Sequence, residues 1–179
     1  MNRSILCVAA IALVIAGFAG PARADDRAEI DALYAKLAQA LKNRTPEATL
    51  ALEAPGFTSA SGGRKLTGKE LVQQMKKQDA GTKDVKDVTI SVKKAVITGK
   101  TAKVTTDFSY TIEVDDPQGH MGPKGGTHEV SMRGLVKNDL VKTSGGWKFL
   151  STQPGAGKML VDGKTVPQAP PGARKSRKR

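Results

Sequence analysis

Few side chains in this chain can do chemistry, and most of them cluster late in the sequence. His128 falls in phase with Val130 and Met132, so a strand would turn its imidazole towards an apolar face. An imidazole titrates near neutrality and can act as a base in a pocket. Tyr110 sits on the apolar face of the preceding strand pattern and can donate a hydrogen bond. The two together are the candidate catalytic pair, provided that they lie within hydrogen-bond reach of a common substrate. The plainer reading of His128 is a histidine at the sheet end, bonded to backbone or water, and it is preferred because a base also needs an orienting partner. Among the carboxylates, Asp107 alternates outward with Lys103 and Thr105, and Asp139 falls at a break in its strand pattern.

Asp115, Asp116, His120 and His128 flank one glycine-rich loop. Their spacing matches no established metal motif, and metal sites need several convergent ligands with an ordered surround. A solvated loop is the expectation, with no metal and no cofactor. Gly119 to Gly126 lacks the spacing of a phosphate loop and leads into no helix. Arg133 shares a face with Glu129 and Ser131, which suits a solvated or dimer-facing position. The single cysteine, Cys7, lies in the first apolar run.

That run belongs to residues 1–24, which read as a cleavable export signal. Arg3 supplies the basic start, Ile5 to Phe18 the apolar stretch, Gly20 and Pro21 the break, and Ala22-Arg23-Ala24 the small-x-small cleavage pattern. Cleavage near Ala24 places the protein in the periplasm or outside the cell. It also removes the only thiol, and with it disulfides and cysteine chemistry. The formal net charge is +12, of which Arg3 and Arg23 leave with the signal. Half of the remainder sits at the end, on Arg174, Lys175, Arg177, Lys178 and Arg179. Basic residues near an anionic membrane gain about 1 kcal/mol each, so this tail is the candidate tether to an anionic envelope surface. Aromatic residues make up only 4% of the chain, which argues against stacking on single-stranded nucleic acid, and no specific nucleic acid is expected.

The elements that must position these residues begin with a helix from Asp25. Ile30, Leu33, Tyr34, Leu37 and Leu41 form one face, Asp25 or Asp26 is the expected cap, and Asn43-Arg44 the end. Thr45-Pro46-Glu47 starts a second helix, with Thr45 as N-cap and Pro55-Gly56 as the stop. Phe57 to Ala60 and Arg64 to Leu66 make a small hairpin, and Thr67-Gly68-Lys69-Glu70 is a capping box that opens a third helix carrying Leu71, Val72 and Met75 inward. From Val85 the period becomes 2. Val104, Thr106, Phe108, Tyr110, Ile112 and Val114 share one face of a long strand, and Trp147 to Ser151 form the last main strand. Met159 to Val161 and Lys164 to Val166 flank Asp162-Gly163 as an added edge hairpin, and Pro167 onward has the composition of disorder. The domain boundaries are thus 1–24, 25–154, 155–166 and 167–179.

Helices first and strands last point to an α+β fold. This order, together with Phe57-Thr58, Gly63-Arg64 and Gly146-Trp147-Lys148, resembles the nuclear transport factor 2-like superfamily, in its bacterial SnoaL-like and ketosteroid-isomerase-like branch. The resemblance implies a cone in which N-terminal helices pack on a curved antiparallel sheet round an apolar pocket. It implies Tyr34, Phe57, Phe108, Tyr110, His128, Met132 and Trp147 as pocket residues, a small apolar ligand, and a homodimer through the outer sheet face. An isomerase of this branch needs a carboxylate base in the cone and an oxyanion hole made by a tyrosine and a protonated acid. No carboxylate falls clearly on the apolar face of a main strand. The expectation is therefore a non-catalytic exported domain that holds a small ligand or a partner, with a lyase, isomerase or cyclase acting on a small hydrophobic substrate, or an envelope-surface protein tethered by its basic tail, as the alternatives.

Overall fold

The computed structural model describes residues 24–61, 63–121 and 125–166. Residues 1–23 of the predicted export signal and the basic tail, Arg174 to Arg179, lie outside the described residues. No helix of the described residues is long and apolar enough to cross a membrane.

Helix α1 spans Ala24–Lys42 and buries Ile30, Leu33 and Tyr34 on the predicted stripe. Its first turn differs from expectation. The Asp26 carboxylate accepts hydrogen bonds from Lys142 Nζ at 2.6 Å and Trp147 Nε1 at 3.3 Å, and Glu29 accepts from the same Lys142 at 3.1 Å. These acids anchor the helix to the sheet. Helix α2 is shorter than predicted, Pro46–Leu50. Thr45 does not cap it with its side chain; its hydroxyl donates back to the Ala40 carbonyl at 3.2 Å. Helix α3, Gly68–Asp79, carries the full capping box between Thr67 and Glu70.

The chain leaves α2 directly into β1, Glu53–Ser61. Pro55-Gly56 does not stop a helix. It lies inside this strand, where the pairing register shifts between Glu53 and Thr58 and Gly56 takes a φ of 79°. Proline is tolerated at such a bulge because its missing N–H need not join the ladder. The remaining strands are β2 (Arg64–Thr67), β3 (Thr82–Thr98), β4 (Thr101–Asp116), β5 (Gly126–Thr143), β6 (Gly146–Val161) and β7 (Lys164–Val166). Strand β6 continues past Ser151, its expected end, through Pro154, and turns at Asp162-Gly163 into β7.

The sheet order is β2-β1-β6-β5-β4-β3, with β7 added to β6. One pairing, β1 with β6, is parallel and makes the otherwise antiparallel sheet mixed. Register shifts in β3 at Val92/Lys94, and between β5 and β6 at Gly134/Val136, bend the long strands. At that second bend a Cβ on Gly134 would lie 2.8 Å from the Ala156 carbonyl oxygen, so the close approach needs glycine. The curved sheet stays open and packs α1 against its concave face. Ile30, Leu33, Val104, Leu140, Trp147 and Phe149 are buried at that junction. The result is a cone-shaped α+β fold.

Candidate functional site

The mouth of the cone encloses an apolar cavity of about 230 Å3. Helix α1 contributes Tyr34, Leu37 and Leu41, and α3 contributes Leu71 and Met75. The sheet supplies Phe57, Ile90, Phe108, Val136 and Phe149 from five strands. The helical side chains reach the cavity because their i, i+3, i+4 spacing faces the sheet; the strand residues do so because alternation turns every second one inward. Tyr34 packs edge-on against Phe149, with ring centroids 5.3 Å apart and planes at 77°.

Few polar groups interrupt these walls. The Tyr34 hydroxyl is buried beside Asn138 and makes no well-formed hydrogen bond among the described residues. Burial pushes its pKa well above that of an ordinary tyrosine, with the Asn138 side chain beside it pulling weakly the other way. The hydroxyl is therefore a permanent donor at neutral pH. Asn138 is itself buried, and its Oδ1 accepts from Thr152 Oγ1 at 2.9 Å. Thr106 Oγ1 donates to the Val136 carbonyl at 3.4 Å. Glu53 is the carboxylate of the cavity wall. It is half-buried, and loss of water raises its pKa above the usual glutamate range.

The residues predicted for the pocket separate into two groups. Tyr34, Phe57 and Phe108 line the cavity; Tyr110, His128, Met132 and Trp147 do not. Trp147 is core, held between Asp26 and the Lys142 ammonium, which lies 5.9 Å from its ring centroid. Tyr110 stacks on Phe108 at 6.1 Å and is half-buried, with its pKa raised by desolvation and by Asp79. Met132 opposes Tyr110 on β5.

His128 opposes Val114, four residues along the strand from Tyr110. At ~3.4 Å per residue the two are about 14 Å apart. No His128–Tyr110 pair forms. His128 Nδ1 lies 2.7 Å from Asp162 Oδ2 in the turn before β7. Asp162 is held below the ordinary carboxylate range by that imidazole and by the Glu129 N–H, so it accepts and His128 Nδ1 donates. His128 Nε2 is buried without a partner, 4.0 Å from Asp116 Oδ2. This histidine sits at the sheet end as the plainer reading has it, but its partner is the Asp162 carboxylate in the turn rather than backbone or water.

The loop acids are likewise occupied locally. Asp116 is buried, and its carboxylate accepts the N–H groups of Met121 at 2.5 Å and His120 at 2.9 Å, which hold its pKa down. Asp115 accepts from Thr127 Oγ1, and the His120 ring meets Gln118. Among the described residues, no three or more of His, Cys, Asp and Glu come together as a metal site. On the outer face Lys93 pairs with Asp107, and Lys103 and Ser151 engage Asp139, while Arg133 is exposed.

Sequence reasoning missed Glu53 and Asn138. Extending the face of His128, Val130, Met132, Gly134 and Val136 by one more alternation would have reached Asn138. Glu53 gave no such signal, because Leu52 and Ala54 on either side continue the apolar pattern of α2.

The family model described as the SnoaL-like domain matches residues 22–153. No curated protein matches the chain. Among solved structures, the Kfla4162 protein from Kribbella flavida is similar over 74% of this chain and 90% of its own, at 15% identity and a TM-score of 0.62. A protein from Novosphingobium aromaticivorans, named as a candidate scytalone dehydratase, is similar over 84% of this chain and 95% of its own, at 14% identity and a TM-score of 0.63. A candidate dehydratase of the NTF2-like family from Streptomyces avermitilis is similar over 73% and 95%, at 18% identity and a TM-score of 0.52. At these identities the likeness is one of fold.

Proposed function

Because this chain belongs to the SnoaL-like domain family, we propose that its cavity takes up a small, uncharged, largely apolar molecule and holds it by one hydrogen-bond acceptor. The observation that carries this reading is the Tyr34 hydroxyl, buried in the wall beside Asn138 without a well-formed hydrogen bond. A buried donor left unmade costs about 1–3 kcal/mol, a cost that a ligand carbonyl or ether oxygen would remove. Dry apolar cavities of about 150 Å3 accept benzene, so one of about 230 Å3 suits a single ring with a short polar substituent. The same loss of water that raises the Glu53 pKa disfavours an anionic ligand in this site. Two structural neighbours bear dehydratase names, which fits a cavity that handles small molecules.

Acetophenone and ethylbenzene test the anchor, since they differ in the acceptor. The wild-type protein is expected to bind acetophenone about tenfold tighter, the worth of one good hydrogen bond. Tyr34→Phe should erase that difference while leaving stability within about 1 kcal/mol of wild type, because the lost hydroxyl makes no well-formed hydrogen bond. Titration calorimetry and the shifts of cavity methyl resonances read both effects. Failure of either compound to perturb those resonances at millimolar concentration sinks the proposal.

One observation favours a second reading, acid–base chemistry in a lyase, isomerase or cyclase. Glu53 is a half-buried carboxyl in the same cavity, its pKa raised by burial. Such a group is poised to exchange a proton with a bound substrate. Its raised pKa also fixes a sign. The folded state binds the proton more tightly than the unfolded chain, so stability falls as pH rises from about 4, the ordinary glutamate range, through the raised value. Glu53→Gln should flatten that part of the stability–pH curve, measured by urea denaturation. Exchange of the acetophenone methyl protons with deuterated water, abolished in the same variant, supports catalysis. No exchange above the solvent rate rejects this reading and leaves a binding protein.

A further inference from the structure

We infer that Gly68 is a positioning residue for Glu53: the missing side chain at the first residue of α3 leaves the notch in which the Glu53 carboxylate rests at the cavity wall. The inference rests on the cavity being the functional site, and concerns where the carboxylate of that site is held.

An ideal Cβ built on Gly68 would lie 1.7 Å from Glu53 Oε2, 2.7 Å from Cδ and 3.0 Å from Oε1. No side chain can share that space with the carboxylate. The backbone itself makes no such demand. Gly68 is absent from the positive-φ glycines, unlike Gly56 and Gly63, and it occupies a helical position that alanine would favour. The neighbour, rather than the local conformation, requires glycine here.

The surroundings determine which partner yields. The backbone on the α3 side is fastened by the capping box, in which Thr67 N donates to Glu70 Oε2 at 2.8 Å and Glu70 N to Thr67 Oγ1 at 3.4 Å. Glu53 sits on β1, beside the bulge, and its carboxylate is the far end of a flexible side chain. Burial is what raises the pKa of that group. A methyl group at position 68 therefore displaces the carboxylate and leaves the helix in place. Proton transfer and ligand recognition both depend on where such a group stands, and a displacement of about 1 Å is enough to disturb either.

The test compares wild type, Gly68→Ala, Glu53→Asp and Gly68→Ala/Glu53→Asp. Carbon-13 labelling of the glutamate carboxyls follows Glu53 directly, with no ligand present. Gly68→Ala is expected to keep the fold, change the chemical shift of the Glu53 carboxyl and bring its titration back towards that of an exposed glutamate. Acetophenone affinity should change by about threefold or more. Shortening the side chain withdraws the carboxylate from the notch, so the double variant should bind as Glu53→Asp alone does. A Glu53 resonance and titration unchanged by Gly68→Ala overturn the inference. Should Gly68→Ala fail to fold, Gly68→Ala/Glu53→Ala decides the matter: folding like Glu53→Ala supports the notch, and continued unfolding overturns it. Lack of acetophenone binding in the wild type would instead reject the binding proposal, and the carboxyl titration would still report on Gly68.

Discussion

Trp147→Ala is expected to lower the unfolding free energy by about 3–5 kcal/mol, the range for truncating a large buried aromatic. Trp147 is 4% exposed and belongs to the core between α1 and the sheet. Its loss would open a void that the surrounding strands cannot close, because β5 and β6 are fixed to each other by their ladder. The indole also donates from Nε1 to Asp26, which shares Lys142 with Glu29. Truncation therefore loosens the anchor of α1 as well as the core. Trp147→Phe should recover much of the loss, since it restores ring volume without the donor. Urea denaturation followed by circular dichroism measures both variants. A cost below about 1 kcal/mol for Trp147→Ala would show that this contact does not secure the helix.

Leu71→Trp is expected to reduce acetophenone affinity by about a hundredfold, or ~2.7 kcal/mol, while the fold persists. Leu71 reaches the cavity from α3, and a larger ring at that position enters the space a ligand would take. The cavity is about 230 Å3, so one indole consumes much of it. Filling a void with apolar atoms commonly adds stability of about 0.5–2 kcal/mol, so the melting temperature should hold or rise. The opposite movement of affinity and stability separates a blocked pocket from a damaged fold. Binding within about tenfold of wild type would place the ligand elsewhere.

Much of the architecture is legible in local patterns. The stripe of Ile30, Leu33, Tyr34, Leu37 and Leu41 predicts α1 and its inward face. Thr67 and Glu70 announce the start of α3, and their reciprocal bonds form as the spacing requires. Alternation along β4 separates Val104 and Thr106 from Lys103 and Asp107, and burial follows that division. Errors arise where a local cue has two outcomes. Pro55-Gly56 ends a helix or bends a strand, and only pairing of β1 with β6 selects the second. Pro154 is a strand end or a bulge residue, and the shift between Gly134 and Val136 accommodates it within the ladder. Asp26 and Glu29 suit a helix start, yet Lys142, over a hundred residues away, takes both.

The candidate site is less legible for the same reason. Tyr34, Phe57 and Phe108 are inward-facing by periodicity, and they line the cavity. His128 shares the inward phase of β5 with Val136 and Asn138, but lies at the other end of a long strand, where Asp162 engages it. Periodicity assigns a face and says nothing of position along it. The sequence by itself determined the order of helices and strands, their buried faces and the α+β class, because these depend on burial patterns that repeat over a few residues. Only the tertiary structure decided that Tyr34, Asn138 and Glu53 meet in one cavity while Tyr110 and His128 stay apart. That convergence depends on bulges, on one parallel pairing and on how far each strand slides past its neighbour, and these are settled by contacts between residues distant in the chain.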